Sequence, residues 1–264
     1  MKSATSIMLL ATVTLLLSSV SPTRAATITQ WDYETSAGTP VAVGQSANGQ
    51  QVDDMGGYTG GPFDGTGHGS TLSYQAGAVG SSHSLQFTAA TSPYDYVDLS
   101  LPAAIGGITQ GAFTIETWFK TTDTGRSTLV GTYYGATKDD LNFEITAAGE
   151  IRGHIWSPTA VTDFHSSLSL HTDVADGQWH HGAFVRDSAG GTVRLYLDGL
   201  QVGTATDKSG SFTLNAPTLY LGRDYRTGSE RFGGYLDNTR ISNTALTPEQ
   251  FHMSGDGEQN YYQM

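Results

Sequence analysis

The sequence predicts an all-β chain folded as a sandwich or barrel, and three observations carry that prediction. The chain of 264 residues holds 33 glycines and 13 tyrosines with only 14% charged residues, a composition suited to many short strands joined by tight turns. Segments with strand character recur along its length, broken by Gly, Asp and Asn. Within several of them apolar residues alternate with polar ones at a period of two.

The first residues read as an address, not as part of the fold. Lys2 precedes an apolar run from Ile7 to Leu17, and Thr23-Arg24-Ala25 follows the helix-breaking Pro22. That is the pattern of a secretory signal peptide cleaved near Ala25. The run is broken by Thr12 and Thr14 and closed by Ser18 and Ser19, short of the roughly 18 to 20 apolar residues of a membrane anchor. The expectation is a protein that is extracellular or periplasmic after cleavage of residues 1–25, with one domain over 26–252 and a polar tail over 253–264. Cleavage would leave 11 basic against 25 acidic residues. Such a surplus of carboxylates argues against nucleic acid and anionic membranes as partners. Zero cysteines removes any disulfide framework, so stability must come from a packed core or a bound metal.

Strand signals then follow in order: Ile28 to Glu34, Ser84 to Phe87, Tyr94 to Leu99, Phe113 to Thr121, Thr128 to Tyr134, Asn142 to Thr146, Ile151 to Trp156, Trp179 to Arg186, Thr192 to Leu197, Gln201 to Ala205, Thr218 to Gly222 and Gly234 to Ser242. Phe113, Ile115, Thr117 and Phe119 define a core face, against Thr114, Glu116, Trp118 and Lys120. Val193, Leu195 and Leu197 alternate in the same way with Arg194 and Tyr196. Trp118 and Tyr196 therefore fall on the polar-facing set, where they suit either a sugar-binding surface or cross-strand packing. Ala148-Gly149 and Asp198-Gly199 mark two hairpins. The stretch from Gln45 to Gly69, with Asp53, Asp54 and Asp64 among its glycines, reads as a long loop without the spacing of an EF-hand. Thr247-Pro248-Glu249-Gln250 reads as the start of a short C-terminal helix, with Thr247 as N-cap and Gln250 completing a capping box.

Three segments, Phe113 to Lys120, Asp176 to Val185 and Thr192 to Gly199, resemble in sequence and order the laminin-G-like branch of the concanavalin A-like lectin and glucanase superfamily. The resemblance continues through Leu219 to Gly222, Gly234 to Ile241 and Ala245 to Gln250, and begins at Trp31 to Glu34. It implies a two-sheet antiparallel jelly-roll β-sandwich. It also implies a structural calcium where the two ends of the domain meet, with Asp32 and Asp237 as candidate ligands; a solvated or hydrogen-bonded structural role is the alternative for each.

The expected function is secreted binding of carbohydrate, a polysaccharide or other glycan. An adhesion or matrix protein with a protein partner, and a hydrolase or lyase with unrecognised residues, stand as alternatives. The Glu-x-Asp-x-x-Glu strand of the superfamily's glucanases is absent, and Glu116 and Glu144 stand isolated on their strands, so no catalytic residue is assigned. His180 and His181 are adjacent on a strand, point to opposite faces and are read as structural. Sugar recognition uses aromatic faces beside amide, carboxylate or guanidinium groups. Tyr133, Tyr134, Arg152, Trp156, Arg223 and Tyr225 supply such groups at strand ends and in loops, and are the candidate ligand-binding residues.

Overall fold

A computed structural model describes residues 27–53, 64–78, 81–89, 94–99, 111–132, 140–157, 160–165, 173–208, 219–224 and 230–253. These residues form two antiparallel sheets stacked as a sandwich. The first sheet runs β16 (Leu200–Thr206), β15 (Thr192–Leu197), β14 (Trp179–Asp187), β9 (Phe113–Lys120), β18 (Gly234–Ser242), β7 (His83–Phe87) and β6 (Ser73–Ala76), and β1 (Thr27–Trp31) also pairs with β18. The second runs β13 (Ala160–His165), β12 (Ile151–Ser157), β11 (Asp140–Ile145), β10 (Ser127–Thr132), β17 (Leu219–Leu221), β8 (Tyr96–Leu99), β5 (Gly65–His68) and β4 (Gln51–Val52). A small hairpin joins β2 (Thr35–Ser36) to β3 (Thr39–Pro40). The all-β, two-sheet jelly-roll expectation holds.

The alternation read from the sequence is what closes the sandwich. Ile115, Phe119, Leu195 and Phe184 from the first sheet meet Val97, Leu129, Phe143 and Ile155 from the second in one apolar core. Gly182 allows the sheets to approach: a β-carbon there would lie 2.9 Å from Phe143 and 3.0 Å from Phe119. The Asp198-Gly199 turn has φ of 50° and 80° and joins β15 to β16 as the sequence predicts. Gly149, at φ 74°, turns β11 into β12.

The structure corrects the reading at two places. The Gln45–Gly69 stretch is not a loop throughout, since it contains β4 and β5. Strand β5 escapes a periodicity search because its core-facing positions are Gly65 and Gly67, where a β-carbon would come within 2.7 Å of Leu99 and 2.2 Å of the Ala47 carbonyl. Asp53, from the same stretch, is a staple: its carboxylate accepts from Thr35 Oγ1 at 2.6 Å and from the amides of Ala37 and Gly38 at 2.8 and 2.7 Å, holding the β2–β3 hairpin.

The C-terminal helix is a single 3-10 turn, Pro248–Gln250. Gln250 does reach back, its Oε1 accepting the Thr247 amide at 3.0 Å. Phe251 then leaves in extended conformation, φ −72° and ψ 152°, because the chain must lie flat on the first sheet instead of coiling away from it.

That flat segment also decides between the two readings of Trp118 and Tyr196. Trp118 and Tyr196 are not surface platforms, because Leu246 and Phe251 cover the outer face of the first sheet, packing on Ala183, Val185 and Tyr196. The indole Nε1 of Trp118 donates to the His252 carbonyl at 2.9 Å. Beneath lies a buried ionic group in which Glu116 accepts from His181 Nε2 at 2.9 Å and from the His252 amide at 3.0 Å, and pairs with the Arg240 guanidinium. Burial alone would raise the Glu116 pKa, but Arg240 and His181 outweigh it and hold the carboxyl down at about 2.

Candidate functional site

On the second sheet the same alternation leaves an outer face that is polar and aromatic. The register lines up Thr66, Asp98, Tyr220, Gly131, Asn142 and His154 across β5, β8, β17, β10, β11 and β12. Each lies opposite in phase to a core residue, such as Val97, Leu221, Val130 or Phe143, so the whole row faces away from the core.

At one end of this face His68 pairs with Tyr96 and stacks on its ring, centroids 4.5 Å apart and planes 14° from parallel. The Arg223 guanidinium carbon sits 3.4 Å from the centre of the same ring and 4.5 Å from that of Tyr220. An imidazole and a guanidinium this close to one ring cannot share a side of it, so Tyr96 is sandwiched between them. Burial lowers the His68 pKa and Arg223 lowers it further, against an opposing pull from Asp98.

At the other end Glu144 is fully buried between two arginines. Arg126 reaches it through Nε at 3.1 Å and through a terminal nitrogen at 2.9 Å, and Arg152 reaches it at 2.5 Å. A further nitrogen of Arg126 pairs with Glu230 at 2.8 Å. Glu144 is therefore not isolated. Its Arg152 partner lies directly across the β11–β12 hairpin.

Between the two ends lies Gly131, with Asn142 on the neighbouring strand. A β-carbon at Gly131 would meet Asn142 Oδ1 at 2.4 Å and the Thr128 methyl at 2.6 Å, so any other residue must displace one of them. Asn142 Oδ1, Thr128 Oγ1, Asp98 Oδ1 and Arg223 Nε are all buried and lack a hydrogen-bond partner. The same condition recurs away from this row, at Ser127, His181, Thr192 and Ser242.

Of the six candidate ligand-binding residues, Arg152 lies on β12 and Arg223 just beyond the end of β17, with β11 and β10 between those two strands. Trp156 lies on β12 opposite Asp140, and its side chain falls outside the description. Tyr133, Tyr134 and Tyr225 lie outside the described residues. Sequence reasoning missed His68, Tyr96, Asp98, Arg126, Asn142 and Tyr220 as members of this face. Nothing in the sequence signals the pairing of Glu144 with Arg152 directly: a two-residue Ala148-Gly149 turn would set Glu144 opposite Gly153, whereas the observed register is centred on Ala148 and sets it opposite Arg152.

The histidine pair divides as its strand position requires. His181 is buried against Glu116, while His180 turns the other way and binds Asp198 at 2.8 Å through Nδ1. That hydrogen bond raises the His180 pKa.

The calcium candidates lie where β1 and β18 pair, Asp32 directly following the Trp31–Thr239 partners. Asp237 is buried, and its Oδ2 accepts the Ala78 amide at 2.8 Å. Burial pushes its pKa up to about 8, with the Glu34 charge adding to the rise. Asp32 is also raised by burial, and its Oδ1 caps the Glu34 amide at 3.1 Å. The donor chemistry fits a hard cation: oxygen ligands in a place where negative charge is disfavoured until a positive one joins it. Among the described residues no three His, Cys, Asp or Glu side chains gather as a metal set, so the remaining ligands would be backbone oxygens or water.

A two-sheet jelly roll with one sealed outer face and one polar, aromatic outer face defines a class, the lectin-like sandwiches. The sequence over residues 90–252 matches the concanavalin A-like lectin/glucanases superfamily, and the chain belongs to its laminin-G-like branch. Solved structures agree in fold. Domain 4 of AbnA, an extracellular arabinanase from Geobacillus stearothermophilus solved with arabinotriose, superposes with a TM-score of 0.61 at 19% identity, covering 89% of this chain and all of that domain. The binding domain of Paraclostridial Mosquitocidal Protein 1 gives a TM-score of 0.62 at 12% identity, covering 84% of this chain and 50% of that one. The binding domain of botulinum neurotoxin DC, solved with SialylT, gives 0.58 at 9% identity, covering 85% and 50%. The chain thus spans about half the length of the toxin domains. No curated protein sequence matches it.

Proposed function

We propose that this chain is an exported carbohydrate-binding protein, whose binding surface is the outer face of the second sheet and whose termini are joined by a calcium ion at Asp32 and Asp237. The observation that carries the reading is the cluster of Tyr96, Tyr220, His68 and Arg223 gathered on a polar outer face that, unlike the first sheet's, is not sealed by the C-terminal segment. Oriented amide, carboxylate and guanidinium groups next to aromatic rings are the means by which proteins hold sugars. The arabinanase domain solved with arabinotriose and the toxin domain solved with SialylT support the reading by fold.

Binding fits better than catalysis. Glu116 and Glu144, the two strand glutamates that could serve a hydrolase, are each clamped by guanidinium groups, and a retaining or inverting hydrolase needs a carboxyl pair free to exchange protons across a substrate.

Retention of the chain lacking residues 1–25 on a polysaccharide panel tests this. Arg223→Ala and Asn142→Ala should each lose retention with little change in melting temperature. Unaltered retention in both moves the site elsewhere, and no retention on any glycan removes the function. For calcium, a chelator should lower the melting temperature and Asp237→Asn should abolish that response; a melting curve indifferent to chelator sinks the metal proposal.

A further inference from the structure

We infer that the open face takes a sugar unit bearing a single acidic group, a carboxylate or a sulfate, held by the Arg223 guanidinium; the inference rests on the carbohydrate reading above. Among the described residues the guanidinium groups of this face are those of Arg126, Arg152 and Arg223, and two of them are committed. Arg126 and Arg152 both hold the buried Glu144, and Arg126 also holds Glu230. Arg223 is held by ring contacts alone, its guanidinium carbon 3.4 Å from the Tyr96 ring centre and 4.5 Å from that of Tyr220. Asp98 stands across from Tyr220 on the neighbouring strand but forms no ion pair with Arg223. The arginine is half-buried, and of its three nitrogens only Nε is enclosed without a partner. The two terminal nitrogens make no hydrogen bond to the protein and are not enclosed, so they reach solvent. Packing against two rings fixes their direction, and a fixed planar fork of open N–H groups matches the paired oxygens of an oxyanion.

The rings point the same way. Tyr96 has no open face on which a sugar ring could lie, since His68 stacks on one side with centroids 4.5 Å apart and Arg223 covers the other. Tyr220 is only 8% exposed and turns edge-on to Tyr96, ring centres 5.9 Å apart at 75°. The rings therefore position the cation, and the cation is the group that meets the ligand. The field of the whole chain limits how much charge the ligand carries. At a net charge of −12 every further acidic group is repelled at long range, while among the described residues of the face one guanidinium alone is open to receive it. A sparsely charged glycan suits this face better than a dense polyanion.

The experiment measures binding of the chain lacking residues 1–25 to matched pairs of glycans: glucuronoxylan and gum arabic beside their carboxyl-reduced forms, and a lightly sulfated galactan beside its desulfated form. Polygalacturonate serves as the dense polyanion, and arabinan and β-glucan as neutral glycans. Arg223→Ala and Arg223→Lys are measured alongside, with thermal melts as folding controls. The inference expects a sparsely acidic glycan to bind about tenfold or more tightly than its neutralised twin; which pair shows the difference tells carboxylate from sulfate. Arg223→Ala should erase that preference, and Arg223→Lys, which keeps a charge without the fork, should weaken it. Equal binding within every pair, binding of neutral glycans alone, a preference that survives Arg223→Ala, or tightest binding to polygalacturonate each overturns the inference and leaves the carbohydrate reading intact. Binding of no glycan overturns both. Should Arg223→Ala fold poorly, the matched pairs on the native chain and Arg223→Lys still decide the matter.

Discussion

Glu116 on the first sheet and Glu144 on the second occupy similar positions, each on an outward-facing register line and each gripped by arginine. Their surroundings differ. Over Glu116 the chain returns, and Leu246, Phe251 and His252 seal it, with the His252 amide itself a ligand of the carboxylate. Around Glu144 the gripping arginines remain part of the surface, Arg126 with a side chain 35% exposed. Alternation of polar and apolar residues, which the two faces share, therefore says which residues leave the core. It does not say which of them later chain will cover. An ionic group under cover is structural; one at the rim can position a ligand.

The largest expected effect separates these two glutamates. Glu116→Ala leaves Arg240 buried without its counter-charge and His181 without its carboxylate partner, and should cost about 3 to 5 kcal/mol, enough to threaten folding. Glu144→Ala lets Arg126 return to water and should cost clearly less, about 1 to 3 kcal/mol. Equal losses in chemical denaturation would erase the distinction between sealed and open faces.

Acid sharpens the same contrast. The Glu116 pKa is held at about 2 against an unfolded value near 4.5, so its contribution is fully present above pH about 4.5 and disappears as pH falls through about 2. That window corresponds to about 3 kcal/mol. Urea midpoints between pH 2 and 6 should fall with acid in the native chain, and the fall should be shallower in Glu116→Gln. Parallel curves would show that other carboxylates govern acid stability.

A smaller effect tests the floor of the open face. Gly131→Ala must displace Asn142 Oδ1 or the Thr128 methyl, at a cost of about 1 to 3 kcal/mol. Glycan retention should fall with it, since Asn142 moves. Loss of stability with retention unchanged would show that the ligand does not touch this row.

Most of the sandwich was legible because Phe113 to Lys120 and Val193 to Leu197 alternate apolar and polar residues and the strand-rich segments are broken by Gly, Asp and Asn. Strands β5 and β6 were not, since β5 presents glycine to the core and β6 offers only Tyr74. The candidate site was legible by residue type at Arg152 and Arg223 and illegible by position. Among its other members, Tyr96, Asp98 and Tyr220 sit on β8 and β17, strands about 120 residues apart in sequence that only the completed sheet brings side by side. For Trp118 and Tyr196 the sequence left packing and a sugar surface both open, because nothing local reveals a cover that arrives from residues 246–252.

Strand β18 has one further property. Its first half pairs with β7 and its second half with β1, so a single late segment binds two early ones end to end along the same edge while β9 occupies the other. During synthesis every strand of the first sheet except this one is available long before the sheet can close. A ribosome must deliver residue 242 before Thr27 finds its partner, and until then the chain is a set of unjoined ribbons. For a protein proposed to cross a membrane as an unfolded thread, the order of manufacture itself delays folding, with the keystone made last.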